Sequence, residues 1–373
     1  MTTPVRVLYV VSDLLEGCGG IQSVVMSIFE HIDSSRVQID FVIHQDYAPS
    51  FVPFVKEKGS RVYAAPQFKK EGPFAYIRWW NRFFKEHPGY KVVHGHMKAY
   101  ISLYLLIAKL HGCVTIAHSH SAYPQLSFFK KYSEKLALYP LRWIADYHFA
   151  CSLQAGECLY GKNIVKKPSF RFIPNARDTK VFLYDEEKRK MMRKKLNLTD
   201  NFVIGHSGRF DEQKNHVFLI KIFEEIYRRN PQARLLLLGT GKLKEQIEQQ
   251  IAKLGLEKAV LFTGVVPNPQ DYYQAMDVFL LPSLSEGLPL VLVEAQMVGL
   301  PCIMSSHLPS DVDFGCGLLQ TLSLKQSASQ WADRVLNLDR TTRKSYAKEA
   351  AEKGFEIRTL AKQLEDFYLQ VKK

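Results

Sequence analysis

The feature that most constrains this chain is an alternation of short apolar runs with amphipathic ones, which breaks off once and then starts again. The first series runs VRVLYVV, a glycine loop, a helix from Ile21 to about Ile32, VQIDFVI, a helix near Phe51 to Lys58, and RVYAA. It continues with a helix from Phe74 to Glu86, KVVHG, the apolar helix Ala99 to Leu110, VTIAH, a helical region reaching Asp146, and YHFAC. A charged segment, Asp185 to Lys195, interrupts the pattern. FVIGHSG, a helix from Asn215 to Arg229, ARLLLLG, a helix to Leu254, AVLFTG, DVFLLP, one more helix and PCIMS then follow. Strands joined by crossover helices are parallel, and a parallel sheet is covered on both faces. The expectation is an α/β chain of two Rossmann-like, doubly wound domains facing a central cleft, divided as 1–180 and 181–354. The last helical pattern, 355–373, has no strand after it and is available to pack back on the first domain. Ligands in such sheets bind beyond the carboxyl ends of the strands, so the loops there carry the functional information.

Composition excludes several classes. A chain of 373 residues with 46% hydrophobic content can bury two cores. It contains no apolar run of the ~18 residues that span a bilayer, and the VRVLYVV run leads into a loop rather than a cleavage site. A cytoplasmic protein is expected, with peripheral attachment at the inner membrane face left open. The six cysteines are scattered without a C-x-x-C pair, so reduced thiols are expected. The formal charge of +13 calls for an anionic partner. No nucleic-acid module accompanies it.

The stretch Ser285 to Ala295, SEGLPLVLVEA, reads as a loop opening a helix, with Pro289 in the first turn where a missing N–H costs nothing. Gly287 permits a tight turn, and the unpaired amides from Leu288 onward favour an anion such as a phosphate. Glu286 and Glu294 would lie roughly 12 Å apart along a helix, too far for a double-displacement carboxylate pair. They suit one ligand lying lengthwise: hexose hydroxyls at Glu286, pyrophosphate at the amides, ribose at Glu294. The plainer reading makes Glu286 a cap and Glu294 a solvated glutamate.

Other strand-end loops point the same way. In GHSGRFDEQKN, Arg209 and Lys214 supply the fork and the point charge that a pyrophosphate needs, although either could be an ordinary surface cation. Gly208, Gly241 within GTGKL, and Gly264 with Val265 within FTGV allow backbone to approach a ligand. The first loop sets Gly17, Gly19 and Gly20 before a helix. A dinucleotide fingerprint is the rival reading there, with Asp40 as the ribose acid. Ser23 replaces its third glycine, and Asp40 falls within a strand rather than at its end.

The pairs His94 and His96, and His118 and His120, each place two rings on one face of a strand. Neither pair has a neighbouring Glu or Cys to complete a zinc site, so no metal is expected. The rings are expected to line the cleft as donors or to sit satisfied within it. The segment Arg78 to Lys85, RWWNRFFK, interleaves Arg78, Arg82 and Lys85 with Trp79, Trp80, Phe83 and Phe84, and FFKKY follows at 128–132. Such a helix either meets an anionic membrane surface or buries its aromatics in the core.

In combination and order, the glycine loop, the H-x-H strand ends, IPN at Ile173 to Asn175, GRF…KN, GTG, FTG and the E-x7-E pair resemble the retaining glycosyltransferases of family 4, which have the GT-B fold. AHSHS and GRFDEQKN are most similar to bacterial enzymes of capsular and exopolysaccharide synthesis. The resemblance implies that Arg209 and Lys214 hold the donor diphosphate without a metal, and that Glu286, with the amides of Gly287 and Leu288, binds the hexose. Glu294 would take the ribose, and His120 would lie at the reacting centre, with His118 the alternative. Gly19 and Gly20 would border phosphate and acceptor. No cofactor is implied beyond a nucleotide-sugar co-substrate, a uridine diphosphate sugar by preference. The acceptor would be a glycan or a polyprenyl-diphosphate-linked glycan. Ala176 departs from the glycine more usual after IPN. A nucleotide-sugar epimerase of the same fold and a non-catalytic sugar-nucleotide binding subunit are the alternatives.

Overall fold

The computed structural model describes residues 3–12, 20–44, 51–96, 100–120, 136–339 and 343–371. Gly17, Gly19 and the FFKKY segment lie outside these residues.

The chain forms two compact units. The first comprises Met1–Ala176 together with Ile357–Lys373, and the second Arg177–Glu356, so the division falls at Ala176 rather than at residue 180. In the first unit seven strands, β1 (Val5–Val10), β2 (Val37–Ile43), β3 (Val62–Ala64), β4 (Val92–Gly95), β5 (Val114–Ser119), β6 (Tyr147–Ala150) and β7 (Phe170–Phe172), pair in parallel in the order β3-β2-β1-β4-β5-β6-β7. In the second, β8 (Phe202–Ser207), β9 (Ala233–Leu238), β10 (Val260–Gly264), β11 (Val278–Leu281), β12 (Cys302–Ser305) and β13 (Leu319–Leu322) take the order β10-β9-β8-β11-β12-β13. Both are Rossmann-like. In each the strand order reverses beside the first strand, at β1/β4 and at β8/β11, and a doubly wound sheet opens a crevice for ligands there. Central strands such as VLYV of β1 and LLLL of β9 are apolar without alternation because both sheet faces are covered.

The helix Ile357–Val371 belongs to the first unit and lies against the helix Gly20–His31 and against β1 and β2. Leu360, Ala361, Leu364, Phe367 and Tyr368 form its buried stripe, spaced as one face of a helix requires. Glu365 fastens it, accepting from the Asp33 amide at 2.8 Å and from Arg36 at 2.7 Å.

The basic-aromatic helix buries most of its aromatic side chains in the core. Phe68–Glu86 kinks at Gly72 (φ 83°), and Tyr76, Trp80, Phe83 and Phe84 are buried. Their spacing gathers them on the side that meets Tyr104 and Tyr90. Trp79 stacks on Phe83 with ring centroids 5.1 Å apart. Arg78, Arg82 and Lys85 face solvent, as does Phe74 at the start of the second segment. Among the described residues no helix is long and apolar enough to cross a membrane.

Candidate active site

The second unit brings the loops after β8 and β11 together at its switch point. Beyond Ser207 the chain makes a short 3-10 turn, Glu212–Lys214, capped by Asp211, and Asn215 in the left-handed region (φ 57°) turns it into the helix His216–Arg229. Three hydrogen bonds tie this loop to its neighbour. Asn215 Nδ2 donates to the Pro282 carbonyl at 3.0 Å, Gln213 Nε2 to the Ser285 carbonyl at 2.7 Å, and the Leu284 amide to the Gln213 carbonyl at 2.8 Å. The clamp presents Lys214 to Glu286, Nζ to Oε1, at 2.8 Å, with side-chain exposures of only 15% and 9%.

Glycines let these loops close up. An added Cβ on Gly208 would stand 2.9 Å from Lys214 Cε, so the lysine stem lies across that residue. Gly239 has φ +126°, and its Cβ would meet the Gly208 carbonyl oxygen at 2.2 Å. Gly241 would meet the Phe210 carbonyl oxygen at 2.5 Å. The Gly239 amide donates to the Gly264 carbonyl at 2.8 Å, which adds the end of β10 to the same shelf, with Val265 beyond it exposed. No side chain larger than hydrogen fits at Gly239 or Gly241 without moving backbone.

Three expectations change in detail. The helix begins at Leu290 with Pro289 as its cap residue (ψ 91°), so Glu286–Pro289 is not helical and the helical distance estimate between the two glutamates does not apply. Glu294 is no solvated glutamate. Buried on the second turn, it accepts from Arg177 Nε at 2.6 Å and from the Tyr273 hydroxyl at 2.8 Å. The two cations are also unequal: Lys214 is built in, whereas Arg209 is 62% exposed with Asp211 at 3.5 Å.

In the first unit, β4 and β5 are neighbours, and their H-x-H ends form one stack. His94 Nε2 lies 3.2 Å from His118 Nδ1, and His96 Nδ1 lies 2.9 Å from His120 Nε2. His94 Nδ1 meets the Tyr368 hydroxyl at 2.7 Å, and that hydroxyl meets Tyr9 at 2.7 Å. Burial pulls all four imidazoles below their ordinary pKa, His120 to about 3, so the rings are neutral at pH 7. Ligand nitrogens of His94, His96 and His118 lie within 4.8 Å of one another. The planes of these three rings are inclined to one another by 12° to 42°. Among the described residues, one buried nitrogen each of His96, His118 and His120 has no hydrogen-bond partner.

Gly20 opens its helix with nothing within 4 Å of an added Cβ. The rival ribose acid is spent elsewhere: Asp40 is buried, and it accepts from Arg6, from Tyr90 and from the Arg61 amide. Arg177, Gln213, Tyr273 and Tyr368 went unassigned in the sequence. Arg177 has a signal, standing directly after IPNA. Tyr368 has none.

Two doubly wound parallel sheets of this strand order make the GT-B fold, with a buried lysine–glutamate contact at the switch point of the second. Residues 19–176 match the family described as Glycosyl transferase 4-like domain, and residues 187–338 that described as Glycosyl transferases group 1. EpsF of Bacillus subtilis (strain 168), provisionally named a glycosyltransferase, is 33% identical over 340 residues, covering 88% of this chain and 86% of its own. The chain belongs to glycosyltransferase family 4, of the bacterial polysaccharide type, and is a glycosyltransferase. It is also 29% identical over 229 residues, 58% of each chain, to the Escherichia coli UDP-Gal:alpha-D-GlcNAc-diphosphoundecaprenol alpha-1,3-galactosyltransferase. Anabaena Alr3699/HepE, solved in complex with UDP, shares the fold with a TM-score of 0.76 at 17% identity, over 98% of this chain and all of that one.

Proposed function

We propose that the protein transfers a hexose or N-acetylhexosamine from a uridine diphosphate sugar to a lipid-linked glycan acceptor, with retention of anomeric configuration and without a metal. The observation that carries this reading is the Lys214–Glu286 contact on a glycine-lined shelf at the β8/β11 switch point. A shielded ammonium on this shelf suits a diphosphate, and Arg209, next to Gly208 in the loop, has the freedom to close on its other side. As negative charge develops on the departing nucleoside diphosphate, these cations stabilise it. Glu286 Oε1 is occupied by Lys214, so Oε2 is the oxygen offered to hexose hydroxyls. Glu294, held by Arg177 and Tyr273, takes the ribose through its remaining lone pairs. His120 is assigned to the reacting sugar. The acceptor oxygen forms a bond to the anomeric carbon on the face from which the phosphate oxygen leaves, and the acceptor proton passes to that phosphate oxygen. The names of the Escherichia coli relative and of the HepE complex support uridine diphosphate and a diphosphate-lipid acceptor as the first to try.

Screening nucleotide sugars for thermal stabilisation identifies the donor. Acceptor-dependent release of nucleoside diphosphate, with the product's anomeric configuration read by NMR, then tests the reaction. Accumulation of an epimerised sugar without acceptor would favour an epimerase instead, and binding without release a non-catalytic subunit.

A further inference from the structure

Among the described residues of the first unit, five of the eight large apolar side chains that are exposed lie together. On the helix Ile101–Leu110, Leu106 and Leu110 are 40% and 77% exposed, and beside it Leu136, Tyr139 and Trp143 are 76%, 46% and 65% exposed. The two groups are joined. Ser102 Oγ donates to the Ala137 carbonyl at 2.8 Å, and Lys109 Nζ donates to the carbonyls of Trp143 at 3.2 Å and Ile144 at 3.0 Å. Tyr139 and Trp143 meet edge to face with centroids 5.1 Å apart, and the Arg142 guanidinium lies over the Tyr139 ring at 4.3 Å.

A basic rim borders this face. Arg142 Nε donates to the Tyr160 carbonyl at 2.6 Å and its guanidinium abuts Gly161, so the turn that follows, with exposed Lys162, Lys166 and Lys167, is its neighbour. Ile164 of that turn packs into the same core as Leu138 and Leu141. Lys109 is neutralised by Asp146 at 2.9 Å, and the nearby exposed acid is Glu157. Trp and Tyr beside Leu, edged by lysines and arginine, match the interface of a bilayer that carries negative charge, where apolar insertion and basic charge reinforce each other.

We infer that this face, Leu106, Leu110, Tyr139 and Trp143 with the rim of Arg142 and Lys162–Lys167, docks on the surface of a membrane containing anionic phospholipid. The inference deepens the proposed function, resting on its lipid-linked acceptor for its purpose, whereas docking itself needs neither donor nor acceptor.

Flotation of the full chain with vesicles of phosphatidylcholine, alone or mixed with phosphatidylglycerol, tests it. The parent floats with the mixed vesicles, less so as salt rises. Leu110→Ser with Trp143→Ser lowers partitioning at least tenfold, and Lys162→Glu, Lys166→Glu and Lys167→Glu together lower it by about fivefold or more per site. Arg78→Glu with Arg82→Glu leaves it unchanged. Trp143→Phe still floats but loses most of the vesicle-induced blue shift in tryptophan emission. The inference is overturned if the parent ignores phosphatidylglycerol, or if the first two variants float like it. It is equally overturned if those substitutions instead dissolve a dimer seen by size exclusion, which would make the face a contact between two copies. Acceptor-dependent diphosphate release from a soluble acceptor, without vesicles, is unaffected by these variants. Its failure in the parent sinks the proposed reaction and leaves docking standing.

Discussion

The Lys214 ammonium reaches Glu286 Oε1 at 2.8 Å from a position 72 residues earlier in the chain, and both groups are largely withdrawn from water. Such a pair fixes a charge in place more than it stabilises the fold, because much of the attraction is offset by desolvation. Lys214→Ala and Glu286→Gln should each lower kcat/KM at least a hundredfold, about 2.7 kcal/mol of transition-state stabilisation. Lys214→Ala should also cost about 2 kcal/mol of stability by leaving a shielded carboxylate unpaired. The double variant Lys214→Met with Glu286→Gln should regain that stability without regaining turnover. Chemical denaturation beside steady-state kinetics separates the two effects.

Gly239 and Gly208 should respond differently to alanine. At Gly239 the methyl group meets backbone oxygen at a positive φ, so Gly239→Ala should destabilise the second unit by about 2 kcal/mol or more. At Gly208 the obstacle is a flexible lysine stem, so Gly208→Ala should remain folded while displacing Lys214. Its loss should show in turnover and in a smaller thermal upshift with nucleotide sugar.

Stability should fall as pH drops below neutrality. Burial lowers His44, His148 and His216 to about 4 and His120 to about 3, and depresses His94, His96, His118 and His206 as well. The unfolded chain takes up these protons near pH 6.5 and the folded chain does not. The stabilisation is therefore complete above about pH 6.5 and is lost as pH falls toward the folded pKa values, by about 1.4 kcal/mol per pH unit for each histidine. Unfolding curves at pH 7, 6 and 5 measure the slope, and His148→Gln should reduce it by one histidine's share.

Tyr368 links the final helix to the histidine stack. Tyr368→Phe leaves His94 Nδ1 and the buried Tyr9 hydroxyl without that partner, and should cost about 1–3 kcal/mol. Denaturant unfolding of the variant checks this, and a cost below about 0.5 kcal/mol would show that the bonds carry little.

The strands were legible because a parallel sheet covered on both faces writes itself as unbroken apolar runs. β13, LQTL, escaped notice because it sits at a sheet edge, half-buried and short. RWWNRFFK could be read two ways from composition, and only the packing of Trp80 and Phe84 against neighbouring rings decides between them. The loops that carry Lys214 and Glu286 could be found separately by their place after strands. That the two side chains touch depends on β8 and β11 lying side by side, a fact of strand order that no local pattern records. The two histidine pairs became one stack for the same reason, through β4 and β5.

The helix Ile357–Val371 belongs with strands laid down at the opposite end of the chain. On a ribosome, the stretch Arg177–Glu356 therefore has all its own parts while the earlier half is still missing a wall. The unit begun earlier closes later than its neighbour, with Tyr9 and His94 waiting for Tyr368.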